Sequence, residues 1–92
     1  MGESLNANKT RKAIVKNLVY LEPEDEMEIE EIYLETEDGL KTSKNGWYIN
    51  KYYLHQADEF RKTRDDFLAG KIKKGTEVTI EYNQNGIVAF WL

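Results

Sequence analysis

The chain has 92 residues, no cysteine and a formal net charge of −4, a size that makes one domain and a composition that excludes disulfide stapling and thiolate metal centres. Hydrophobic residues are 40% and aromatics 12% of the total, enough apolar surface to offset chain entropy, so a disordered chain is excluded as well. No apolar run approaches the roughly 20 residues of a membrane-spanning helix, and Met1–Asn6 lacks the apolar core of a signal peptide, so a cytoplasmic protein that engages no membrane is expected.

Charge is unevenly spread. Ten carboxylates and no base fall within residues 21–38, whereas the segments on either side are each net basic. If the acidic block keeps to one side, the surface is polarised.

Residues 1–11 are polar, carry Lys9 and Arg11, and read as a flexible basic arm ahead of a globular domain at 12–92. Residues 12–21 are rich in β-branched and apolar types and stop two residues before Pro23. They are expected to form a strand, although Ile14, Leu18 and Leu21 also fit a helical period. Residues 23–35 support two descriptions. Pro23 followed by Glu24, Asp25 and Glu26 resembles a first helical turn, where acids meet the positive dipole end. Met27–Glu30 and Ile32–Thr36 alternate instead, with a phase slip near Glu31 such as a β-bulge produces.

Asp38-Gly39 marks a tight turn into Leu40–Ser43. After Asn45-Gly46, Trp47–Ile49 folds back or continues the strand past a kink, and residues 27–50 read as a β-meander. Leu54, Ala57, Phe60, Arg64, Phe67 and Leu68 then recur at the spacing of one helical stripe. A helix is expected over 54–69, with Asp58–Lys62, Arg61–Asp65 and Lys62–Asp66 four apart on its outer face and Gly70 as its terminator. Lys71, Lys73 and Lys74 follow at the negative dipole end. Thr76–Tyr82 alternates, with Val78, Ile80 and Tyr82 on one face. Residues 83–86 form a hairpin loop, and 87–92 is apolar on both faces, as in a central or barrel-closing strand.

Strand, strand, strand, helix, strand, strand is thus the expected order, a mainly β, α+β chain. With the Leu54–Leu68 helix placed before Lys73-Lys74-Gly75-Thr76-Glu77-Val78 and a terminal hairpin, it resembles the oligonucleotide/oligosaccharide-binding (OB) fold, a five-stranded barrel whose second and third strands carry the ligand. The likeness is one of topology and spans residues 12–92. It departs in having an acidic first loop and no glycine in the first strand. An α+β sheet with a second helix at 23–35 is the alternative architecture.

His55 is the only histidine, and nothing pairs it with Ser43 and an acid, so catalysis is not expected. The acidic block lacks the spacing of a calcium loop, and no cofactor or metal is expected. Single-stranded nucleic acid is held by aromatic rings that stack on bases and by cations that follow the phosphates. Lys41, Lys44, Trp47, Tyr48, Lys51 and Tyr52 supply both within one short stretch, with Lys16 as a further phosphate contact. Trp47 and Tyr48 also fit core or cross-strand positions. The competing reading is a protein–protein adaptor or phage-type inhibitor that engages a basic partner through residues 22–38, with Glu24, Asp25 and Glu28 as its contacts. Either reading describes a small accessory binding protein, monomeric or homodimeric.

Overall fold

The structure is a computed structural model that describes residues 8–24, 26, 28–43, 47–49 and 57–92. Its elements are β1 (Lys9–Leu21), β2 (Glu30–Thr36), β3 (Trp47–Ile49), α1 (Ala57–Leu68), β4 (Glu77–Asn83) and β5 (Gly86–Trp91). The strands lie in the order β3-β2-β1-β4-β5, every neighbouring pair antiparallel. The order β-β-β-α-β-β is the one expected, and the sheet rolls into a nearly closed barrel.

Rolling depends on β1, which serves two partners. Residues 9–14 pair with β4 and residues 15–21 with β2. The change falls at Val15, whose N–H donates to the Thr76 carbonyl (2.9 Å) and whose carbonyl accepts from the Gly75 N–H (2.8 Å). A glycine is not needed for the bend, because a bulge makes it. Val15 stands opposite Thr36 and Asn17 opposite Glu35, leaving Lys16 as the extra residue. The inward set therefore passes from Ala13 and Val15 to Leu18 and Tyr20. The basic arm is correspondingly shorter than expected, since Lys9, Thr10 and Arg11 already pair with Tyr82, Glu81 and Ile80.

The phase slip expected near Glu31 is absent. β2 alternates regularly, with Ile32, Leu34 and Thr36 buried. The second helix at 23–35 is not formed either. Glu30–Thr36 is a strand paired on both edges, and Glu28 has φ +53°, which ends any right-handed helix. Two-sided pairing satisfies the backbone more completely than an isolated acidic helix would, and it overrides the Pro23 start signal.

Closure comes from residues 41–43. Lys41 bridges Glu35, and the Thr42 N–H donates to the Leu34 carbonyl (2.9 Å). On its other edge this segment meets β5 in parallel: the Ile87 N–H donates to Lys41 and the Ser43 N–H to Ile87, both at 2.9 Å. β3 pairs with the same edge of β2, so the strand continues past its interruption. Asn45-Gly46, between the two segments, lies outside the described residues.

β5 carries a bulge of its own. Glu81 faces Ala89 and Tyr82 faces Ile87, so Val88 is extra. Ile87 and Phe90 thereby both reach the core, which explains an apolar run without strict alternation.

Helix α1 fills the space between β3 and β5. Phe60 packs edge-on against Trp47 at 5.2 Å between ring centroids, and Trp47 against Phe90 at 5.6 Å. Phe67 is half-buried against the core, whereas Leu68, expected on the same stripe, is exposed. Thr63 takes a buried place that the apolar pattern did not mark. Of the three expected ion pairs, Lys62–Asp66 forms at 3.0 Å, and Asp65 pairs with Arg64. Gly70, at φ +80°, ends the helix: its N–H donates to the Phe67 carbonyl (3.0 Å) and the next N–H, of Lys71, to Asp66 (2.8 Å), the paired bonds of a Schellman motif. Residues 54–56 lie outside the described residues.

Candidate functional site

Because Leu18 and Tyr20 turn inward after the bulge, Asn17, Val19 and Leu21 turn outward. The register sets them opposite Glu35, Tyr33 and Glu31, and Tyr48 of β3 stands beyond Glu31. The outer face of β1–β2–β3 is thus a row of apolar and aromatic side chains divided by two carboxylates. Val19 and Leu21 are 42% and 44% exposed, and Tyr48 is 37% exposed.

The expected nucleic-acid residues are divided by this geometry. Lys16 stands on the bulge, exposed, 3.7 Å from Glu35. Lys41 is exposed where the chain returns from the Asp38-Gly39 turn. Tyr48 is on the outer face. Trp47, its neighbour, points the other way, and at 8% exposure between Phe60 and Phe90 it is a core residue with no ring face to offer a ligand. Strand alternation requires this split: adjacent aromatics cannot share a face. Lys44, Lys51 and Tyr52 lie outside the described residues.

Other cations join Lys16 that sequence reasoning had assigned only to the helix end. Lys73 and Lys74 belong to a turn closed by the Thr76 N–H donating to the Lys73 carbonyl (2.9 Å), with Gly75 at φ +92° supplying the left-handed residue. The Thr76 hydroxyl accepts from the Lys73 N–H (3.0 Å). The two bonds between Val15 and residues 75 and 76 tie this turn to the bulge. Lys16, Lys73 and Lys74 consequently line one hollow of about 380 Å³, floored by Leu18 and Phe67. A second hollow, holding Lys41, Tyr33 and Val19, adjoins it and shares Asn17 and Glu35 with the first. The Lys73-Lys74-Gly75 turn signal was readable in the sequence, but its docking beside Lys16 depends on the long-range pairing of β1 with β4.

The opposite end of the face is acidic. Leu21, Glu22, Glu24, Ile29 and Glu31 surround a cleft there, and Glu28 is exposed nearby. Asp25 lies outside the described residues. Burial and the hydrogen bond that the Tyr33 hydroxyl donates to Glu31 (3.0 Å) both push the Tyr33 phenol upward.

Behind the face, Tyr20 and Arg64 both donate to one Glu30 oxygen, at 2.7 and 2.8 Å, linking β1, β2 and α1. Burial, followed by the neighbouring Glu30, pushes Tyr20 up to about 12. Burial pulls Glu30 upward, but the hydrogen bonds from Tyr20 and Arg64 outweigh it and hold the carboxyl below its ordinary value. Every member of this cluster is engaged by the others, as in a structural tie.

Among the described residues no group of three or more His, Cys, Asp or Glu side chains is placed to hold a metal ion. No helix among them is long and apolar enough to cross a membrane. No family model, curated protein or solved structure matches this chain.

Proposed function

We propose that the chain is a small non-enzymatic binding protein of the OB type, and that its ligand is single-stranded nucleic acid held across the Lys16 bulge. One observation carries this reading. The two adjoining hollows bring together four lysines, Lys16, Lys41, Lys73 and Lys74, against a single carboxylate, Glu35, which Lys16 already neutralises.

A backbone crossing these hollows passes Lys16, Lys73 and Lys74 in one and Lys41 in the other. Phe67 lines the first hollow and Tyr33 the second, and Tyr48 is exposed on the outer face of β3. In barrels of this type the ligand crosses the second and third strands; here β2 contributes Tyr33, Leu34 and Glu35 to the two hollows, and α1 contributes Phe67 to the first. Trp47 takes no part.

The test is fluorescence anisotropy of a labelled oligo-dT at low salt, comparing wild type, Lys16→Glu, and the double variant Lys73→Glu with Lys74→Glu. Saturable binding that both variants weaken is the expected result. No binding by wild type, or binding indifferent to both variants, removes the proposal.

A further inference from the structure

We propose that the acidic end of the outer face, centred on Leu21, is a second and separate docking surface, and that its occupant is a protein segment carrying lysine or arginine around an apolar side chain. This goes beyond the nucleic-acid reading: it shares Val19 and Tyr33 with the second lysine hollow, but its centre, Leu21, and its acids belong to a different cleft.

The apolar part comes first. Leu21 is at the end of β1, one outward step beyond Val19, and both remain about two-fifths exposed. A β-branched and a γ-branched side chain on one open sheet face, with Tyr33 across from one of them, form a continuous strip rather than scattered surface residues. Such strips on small domains mark binding surfaces. Strand register explains why these residues are outside: the Lys16 bulge fixes the phase, and without it Val19 and Leu21 would face the core.

The sign of the partner follows from the rim. Glu22, Glu24 and Glu31 line the cleft with Leu21 and Ile29. Among the described residues, no lysine or arginine forms an ion pair with any of these three. That contrasts with Glu30, Glu35 and Asp38, each matched to a base within the fold. The unmatched carboxylates repel a phosphate backbone and attract cations. An apolar centre within a charged rim is the arrangement of protein interfaces, where the buried centre supplies affinity and the rim supplies selection and steering. A basic segment that seats one apolar side chain against Leu21 answers both features. A polyanion answers neither.

The experiment uses the full chain and two short synthetic peptides of equal charge, one alternating lysine with leucine and one alternating lysine with serine. Calorimetry and backbone amide shifts are recorded for wild type, Leu21→Ser, the pair Glu22→Lys with Glu24→Lys, and the pair Lys73→Ala with Lys74→Ala. Leu21 is solvent-exposed, and a thermal melt of each variant confirms that it folds. The expected result is binding of the lysine–leucine peptide with shifts centred on Leu21, Glu22, Glu24 and Glu31. Leu21→Ser weakens it about tenfold, roughly 1.4 kcal/mol, the acid-to-lysine pair abolishes it, and Lys73→Ala with Lys74→Ala leaves it unchanged.

Equal binding of both peptides, shifts elsewhere, or no effect of Leu21→Ser overturns the proposal. So does oligo-dT binding that is lost with Leu21→Ser, which would assign the surface to nucleic acid. Because the lysine hollows are tested by different variants, each reading stands or fails independently.

Discussion

The Thr63 hydroxyl donates to the Phe90 carbonyl across 2.7 Å, and both residues are buried. Phe90 pairs with Ile80 on one side of β5; on the other side, where the barrel does not fully close, a helix side chain takes the place of a neighbouring strand. Thr63→Val preserves shape and removes the donor, leaving a buried carbonyl unsatisfied at a cost of about 1–3 kcal/mol. In a domain of this size each kcal/mol lowers Tm by about 4–8 °C. Thr63→Ser, which keeps the hydroxyl, is expected to retain most of the stability in the same melt.

Glu30 and Tyr20 give the fold opposite pH dependences. The Glu30 carboxyl is held low in the fold, so its stabilising effect is present above the pH where an unfolded glutamate ionises. It is lost as pH falls through the lower, folded value. Tyr20 is raised from 10.0 to about 12, so its effect is complete below the unfolded value and is lost as pH rises through the folded one. Urea titrations across pH should show Glu30→Gln flattening the acid limb. Tyr20→Phe should shrink the alkaline limb to the part that Tyr33 supplies, and should make the acid loss smaller and complete at higher pH, since Glu30 then lacks one donor.

Gly86 occupies the seam of the barrel. Its φ is +118°, and a Cβ there would lie 2.5 Å from the Lys41 carbonyl oxygen and 3.1 Å from the Ser43 nitrogen. Neither backbone atom can yield without breaking the Ile87 bonds that close the sheet. Gly86→Ala is expected to destabilise by about 2–4 kcal/mol, combining backbone strain with overpacking. The same change at Gly39 meets no atom within 4 Å and should show only the smaller strain contribution in a parallel denaturation series.

Trp47 is expected to behave as a core residue in every assay. Trp47→Ala should cost about 3–5 kcal/mol, and Trp47→Phe considerably less. Oligo-dT affinity of the Trp47→Phe protein should equal that of wild type, which anisotropy measures directly.

If lysines neutralise phosphates in the two hollows, affinity falls with salt. The slope of log K against log salt should become shallower by roughly 0.7 for each phosphate-contacting lysine removed. Lys73→Ala and Lys74→Ala should each lower it by that amount. Lys62→Ala, on the helix face beside Asp66, should leave it unchanged.

Local pattern carried most of the architecture. The period of the Phe60–Phe67 stripe, the glycines of the turns and the alternation of Val78 and Ile80 are properties of near neighbours, and the helix and the last hairpin follow from them. The bulges were less legible. The bulge at Lys16 shows only against the two partners of β1, whereas the slip expected near Glu31 falls where β2 has just begun, at Glu30. The same dependence on distant pairing explains the site. Trp47 and Tyr48 are alike in a linear reading, and the fold separates them by sending one inward. Lys73 and Lys74 are far from Lys16 in sequence and join it only through the bonds of Val15 to Gly75 and Thr76.

The division of β1 between two partners also bears on the order of assembly. Residues 15–21 meet β2 soon after it in the chain, a short loop closure, whereas Lys9 must find Tyr82. Contacts so unequal in span form at different times, because distant closure carries the larger entropic barrier. The nascent β1–β2 hairpin is expected to consolidate early. The Lys9–Ile14 half then docks late, completing the cylinder as its final step. Substitutions along that late half should accelerate unfolding and leave the refolding rate nearly constant.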